Sequence, residues 1–289
     1  MKSTGLVHAL ALTLSLFNAL SFAAAQDGKI YNTVKSKLIA GQQVVGGTVE
    51  TADPDIYCAM ANAGFDFIWI EMQHSPLSFG EAAKMIWACR DAPAIPFIRV
   101  PDADEGTIQK AADIGALGII VPMVDSAEKM MNAVRYAKYP PLGRRSQGGG
   151  QYGRLWGRGY RQTWNDNVVI IAMIETLEGT AKAESIATVE GVDGVFVASG
   201  DLGSFSGKRQ GEPEYELLVS QIKEQAENAG KFLGGPSAWM SKRNGYQFFQ
   251  APSTSSLIRM GARLTLEEAD PCRFLPSGET PVDGENPCP

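Results

Sequence analysis

Residues 168–175 read VVIIAMIE, and residues 194–201 read GVFVASGD. Each opens as an unbroken apolar run and leads to a carboxylate. Runs of this length, without the alternation of a half-exposed strand, belong to strands covered on both faces, as in a parallel sheet. Working outward from 168–174 and 194–198, similar runs occupy 44–49, 67–71, 96–100, 118–121, 232–234 and 246–249. Helical patterns at 55–62, 78–90, 105–114, 126–137, 178–188 and 214–228 lie between them. Ser78 followed by Glu81 matches a capping box, and Ser126 supplies the first half of another. Eight strands, mostly alternating with helices, predict a (β/α)8 (TIM) barrel. The competing doubly wound sheet calls for a GxGxxG turn after its first strand, and none is present. No repeat recurs at a period of 20–50 residues.

The chain has 289 residues, 44% of them hydrophobic and 20% charged. Residues 26–268 are enough for one large barrel domain with a sizeable core. The net charge is −6 and Lys and Arg form no dense block, which argues against a nucleic-acid partner.

Residues 1–25 read as a secretory signal peptide: Lys2, an apolar run over 6–22, then Ala23-Ala24-Ala25 with Gln26 as the new first residue. The mature protein is therefore expected outside the cytoplasm, periplasmic or secreted, with no membrane association. Cleavage removes His8 and leaves His74 as the single histidine. The compartment permits disulfides. Cys272 and Cys288 bracket a Pro/Gly-rich tail over 269–289, where a bridge restrains chain with little to pack against. Cys58 and Cys89 lie in apolar helical contexts and are expected as buried thiols. Residues 139–164 (YPPLGRRSQGGGQYGRLWGRGYRQTW) are too long for an ordinary connection, which marks them as functional or ordered by a partner chain. They lack the Lys-Ser/Thr ending of a phosphate loop.

Catalytic groups of a (β/α)8 barrel sit at the C-terminal ends of its strands. Here those ends carry Glu71, Gln73 and His74 on the second strand, Arg99 on the third, Glu175 after the fifth and Asp201 after the sixth. Two carboxylates on adjacent strands, with no cysteine beside them, suit a hard divalent cation such as Mg2+ or Mn2+. An arginine beside them suits a substrate carboxylate, and a histidine suits proton transfer near neutral pH. Taken singly, each of these residues has an ordinary structural explanation. Their shared end of the barrel favours the functional one.

The segments FDFIWIEMQHSP, IPFIRVPDADEGTIQKAADIGALGIIVPMVDSAE, YPPLGRR, IAMIETLEG and VEGVDGVFVASGDLG follow one another in order. In this the chain resembles the HpcH/HpaI aldolases, the metal-dependent pyruvate aldolases of the phosphoenolpyruvate-mutase-like barrels, from about residue 41 to 261. The resemblance implies cleavage of a 4-hydroxy-2-oxo acid through a pyruvate enolate. It implies a divalent metal (Mg2+, Mn2+ or Co2+) on Glu175 and Asp201, with Arg99 on the pyruvate carboxylate or enolate oxygen. It further implies a catalytic His74 paired with Asp113, and substrate contacts near Gln73 and the Gly200 backbone. A homohexamer with the C-terminal helix at 254–261 exchanged between subunits belongs to the same set of expectations.

Several positions depart from the family pattern. Glu71 replaces the usual Asp, Gln73 an acidic residue and Met173 a Gln. Arg144-Arg145-Ser146 stands where Arg-Gly is common, and Ala251-Pro252-Ser253 replaces a G-x-D ending. Such changes bear on substrate more than on metal chemistry. Two other functions stay open on the sequence: a different enolate reaction (condensation, decarboxylation or acyl-thioester cleavage), and an exported binding protein without turnover.

Overall fold

The computed structural model describes residues 30–270 together with Arg273 and Phe274. The signal peptide expected over 1–25 and the Cys272–Cys288 bridge lie outside the described residues. In chain order the elements are α1 (Thr33–Ile39), β1 (Val44–Val49), α2 (Pro54–Ala61), β2 (Phe67–Glu71), α3 (Phe79–Ala88), β3 (Ile95–Arg99), α4 (Glu105–Asp113), β4 (Gly118–Val121) and α5 (Ala127–Ala137). Next come α6 (Tyr152–Leu155), α7 (Tyr160–Asn167), β5 (Val169–Ile174), α8 (Leu177–Ala181), α9 (Ala183–Ala187), β6 (Gly194–Val197) and α10 (Ser199–Ser206). The remaining elements are α11 (Pro213–Asn228), β7 (Phe232–Pro236), β8 (Phe248–Ser253) and α12 (Thr254–Ala269).

The strands pair in sequence order, all parallel, and β8 returns to β1 to close the barrel. The predicted (β/α)8 architecture is therefore the observed one. β2 to β6 are buried along their whole length, as their unbroken apolar runs require. Glycines sit beside aromatic residues of the neighbouring strand, Gly46 opposite Phe67 and Gly118 opposite Phe97 in register. A Cβ on Gly46 would lie 2.0 Å from the Phe67 ring, and one on Gly118 would lie 2.1 Å from Phe97. The space they leave is filled by Phe67, Phe97 and Phe248, whose ring centroids stand 4.5–5.8 Å apart. The Ser78–Glu81 capping box forms at α3, and Ser126 caps α5 by accepting from the Lys129 N–H. Among the described residues no helix is long and apolar enough to cross a membrane.

Three expectations change. The helix read over 178–188 breaks at Lys182 into α8 and α9. The last strand runs later than 246–249, so Ala251, Pro252 and Ser253 lie within β8 and not beyond it. Cys58 and Cys89 are not thiols; they form a disulfide that joins α2 to the C-cap of α3. Spacing along the chain carries no sign of that meeting, because it depends on which faces of two helices pack together.

Residues 139–164 are not irregular throughout. They contain α6 and the start of α7 and pack over the N-terminal end of the barrel. Gln151 Nε2 donates to the carbonyls of Ala83 and Ile114, and Trp156 Nε1 donates to Gly115 O. The Arg145 side chain is fully buried there, with its guanidinium carbon 4.3–5.9 Å from the ring centroids of Tyr139, Tyr152, Tyr160 and Trp164. Such rings stabilise a cation through their quadrupoles.

Candidate active site

Glu71 and Arg99 are the last residues of β2 and β3 and are partners in register. Their side chains form a buried ion pair, with Arg99 Nε and Nη2 both 2.5 Å from Glu71 Oε2. Glu71 is also a hub. The same oxygen accepts from Trp69 Nε1 at 3.1 Å, and Oε1 accepts from the backbone N–H groups of Gln73 and His74 at 2.8 and 2.9 Å. One carboxylate therefore fixes both the arginine and the turn that carries His74. Among the described residues the one hydrogen-bond acceptor at Arg99 Nη1 is the Met173 thioether, at 3.6 Å. A thioether is a weak acceptor, so this N–H is available to a stronger one. Gln73 Oε1 is buried without a hydrogen-bond partner, while His74 is exposed at the rim.

Glu175 follows β5 directly and is buried. It accepts a short hydrogen bond from the Met123 N–H. Met123, in the turn after β4, has φ 51°, left-handed backbone that a residue with a side chain adopts only where its surroundings hold it. Asp201 lies in the first turn of α10. Burial pushes the Glu175 carboxyl up to about 7; the Met123 N–H opposes this, and the nearby Asp201 carboxylate adds to it. A buried carboxylate whose proton affinity is raised further by a second carboxylate beside it suits a cation between the two. Among the described residues no third His, Cys, Asp or Glu joins them. The donor set is two oxygens from the chain, which leaves the remaining positions of a hard cation to ligand and water. Gly200 is the second residue of α10, and a Cβ there would meet nothing within 4 Å.

Glu71, Gln73, His74, Arg99, Glu175 and Asp201 thus share the C-terminal end of the barrel, as the strand-end argument expected. Asp113 does not join them. It is the last residue of α4, which runs antiparallel to the strands, so it stands at the opposite end. There it pairs with Arg145 at 2.6 Å. Within one chain the expected His74–Asp113 pair is not formed. A cleft of 290 Å3 lined in part by Thr48, Glu50, Pro236, Gln250 and Ser253 opens on the C-terminal side. A larger one of 610 Å3, lined by Trp87, Gly149, Gly150, Gln151 and Arg154, lies at the other end. It is lined by no carboxylate, so size alone does not locate the chemistry.

The family model for "HpcH/HpaI aldolase/citrate lyase" matches residues 49–251. The chain belongs to this family. An HpcH/HpaI aldolase/citrate lyase family protein from Burkholderia cenocepacia has a similar structure, with a TM-score of 0.76 at 26% identity, covering 82% of this chain and 99% of that one. The hydroxypyruvate/pyruvate aldolase of Rhizorhabdus wittichii is 34% identical over 73% of this chain and 88% of its own length. The 4-hydroxy-2-oxovalerate aldolase of Rhodococcus jostii is 33% identical over 70% and 80%. As an HpcH/HpaI family member with aldolases as relatives, the chain is a carbon–carbon lyase acting on small molecules. That removes the non-catalytic binding protein from consideration. Two site features escaped the sequence: the strained Met123 peptide, which no residue type announces, and the hub role of Glu71, which registered only as a departure from the family.

Proposed function

We propose that the protein cleaves a 4-hydroxy-2-oxo acid to pyruvate and an aldehyde with the help of a divalent cation, Mg2+ or Mn2+, held by Glu175 and Asp201. The observation that carries this is the apposition of those two carboxylates on the same rim as Arg99. Glu175 and Asp201 would hold the cation, which would supply Lewis-acid charge to the 2-oxo acid end of the substrate. Arg99, held rigid by Glu71, directs Nη1 to the oxygen on which negative charge grows. The open N-terminal turn of α10 at Gly200 receives the substrate carboxylate. His74 takes the proton from the 4-hydroxyl as the carbon–carbon bond breaks to release the aldehyde, and returns it to C3 of the enolate to give pyruvate; Gln73 Oε1 accepts a hydrogen bond from the same region. The aldehyde half leaves through the cleft bounded by Thr48 and Gln250. Ala251, Pro252 and Ser253, which stand in place of the family's G-x-D ending, are part of the cleft's lining and support a substrate of this chain's own.

The proposal extends to assembly and location. α12 buries little beyond Thr254 and leaves Ile258, Met260 and Leu264 about 60% exposed. A helix with so little of its apolar surface covered gains its stability from a partner, which supports exchange between subunits of a hexamer. Asp113 can serve a His74 only across a subunit boundary, an arrangement such an oligomer allows. The Cys58–Cys89 disulfide supports export to an oxidising compartment.

The test is proton exchange. Pyruvate incubated with the protein and Mg2+ or Mn2+ in D2O is expected to lose its methyl proton signal by NMR, after any paramagnetic ion is removed. Exchange should vanish in Glu175→Ala and slow by about 100-fold in His74→Ala. A protein that exchanges no methyl protons with any divalent metal does not form a pyruvate enolate, and the proposal then fails.

A further inference from the structure

Lys129 is the third residue of α5, and its side chain, 22% exposed, turns back toward the strand ends. Its Nζ donates to Met123 O at 3.1 Å and lies 3.4 Å from Asp102 Oδ1. Asp102 is in the turn that follows Arg99 and β3; Met123 is in the turn that follows β4. One ammonium therefore ties two turns of the catalytic end together. The far side of the Met123 residue makes the other contact, its N–H donating to Glu175 Oε1. Met123 at φ 51° does not hold that shape by its own preference.

We infer that Lys129 is a positioning residue for the cation site: its grip on Met123 O keeps the Met123 N–H aimed at Glu175 and so sets the orientation of that carboxylate. The inference rests on the proposed cation role of Glu175 and Asp201. Two effects of Lys129 have opposite signs. Its charge repels a cation nearby, while its hydrogen bond orders the carboxylate that binds one. Replacing it by methionine keeps the apolar stem and removes both. If charge were the main effect, the cation would bind more tightly; if positioning is, it binds more weakly.

Mn2+ is titrated into the purified protein without substrate, and the free ion is followed by its EPR signal. Lys129→Met is expected to weaken Mn2+ binding about tenfold, the scale of a lost outer contact to a metal ligand. Lys129→Arg, which keeps a donor, should recover most of that loss. In a Met123→Gly background the Lys129→Met loss should shrink, because glycine adopts a positive φ without strain. Unchanged or tighter binding in Lys129→Met, alongside loss of binding in Glu175→Gln, overturns the inference and leaves the cation site standing. An equal loss with and without the Met123→Gly change overturns it as well. Absence of Mn2+ binding in the unmodified protein overturns both the inference and the site it rests on.

Discussion

Each end of the barrel holds an arginine with one carboxylate partner, and the two pairs are built inside out relative to each other. At the C-terminal end Glu71 is sealed, 1% exposed, and Arg99 sits at the floor of the mouth with 10% of its side chain exposed. At the N-terminal end Arg145 is sealed, 0% exposed, and Asp113 is 27% exposed. The ion-pair distances are nearly the same, 2.5 and 2.6 Å. What differs is which partner meets the outside. Burying the carboxylate leaves guanidinium N–H groups for a ligand; burying the guanidinium leaves a carboxylate facing outward. The surroundings follow suit. Arg99 has one ring near it, Trp69 at 5.7 Å, and a polar hub beneath. Arg145 is boxed by four rings, and its Nε and Nη1 have no hydrogen-bond partner among the described residues. In the first pair the arginine is presented to a ligand; in the second the arginine anchors residues 139–164 and the carboxylate is left facing outward.

Mutations at the two pairs should separate accordingly. Glu71→Gln removes the charge that orients Arg99 and presents an amide where the guanidinium needs an acceptor. Pyruvate proton exchange is expected to fall at least about 100-fold, the scale of losing a preorganised charge contact at a reacting oxygen. A rate close to that of the parent protein would show that Glu71 does not hold Arg99. Arg145→Met leaves Asp113 unpaired and the box partly empty. Urea unfolding should then show a loss of about 3–4 kcal/mol, mostly from the emptied ring box because Asp113 keeps its access to solvent, with exchange in the folded fraction reduced by less than tenfold. An exchange defect as deep as that of Glu71→Gln would erase the distinction between the two ends. A smaller effect comes from Cys58→Ser with Cys89→Ser. The bridge closes a sequence separation of 31 residues, and its loss should cost about 3 kcal/mol in the same unfolding measurement. A reductant should shift the parent protein by the same amount and leave the double variant unmoved. A parent protein indifferent to reductant denies the bridge any part in stability.

The parts of this arrangement written in local pattern are legible in the sequence. Burial on both faces leaves its mark on each strand as a continuous apolar run, so VVIIAMI and GVFVA announce a parallel sheet. Strand polarity then places Glu175, Asp201, Arg99 and His74 at one end. Other features depend on distant chain meeting distant chain. Asp113 reads as a helix-end carboxylate whatever its partner. Only the path of residues 139–164 across the barrel's N-terminal end decides that the partner is Arg145. Cys58 and Cys89 are likewise joined by the packing of α2 on α3. The backbone of Met123 is set by three contacts, from Glu175 to its N–H, from Lys129 to its carbonyl and from Met173 O to the next N–H, that of Val124; two of the three come from β5 and its end, far along the chain.

The glycines that sit beside rings inside the barrel bear on how such an enzyme changes over generations. Gly46 and Gly118 tolerate no added methyl while Phe67 and Phe97 keep their positions. A lineage can alter that aromatic floor only by two coordinated replacements, one shrinking as the other grows. The rim around Gln250 and Ser253 is under no such pairing, since it borders open space. Drift should therefore accumulate at the rim first, so that the aldehyde accepted is free to diversify while the floor beneath the chemistry stays fixed.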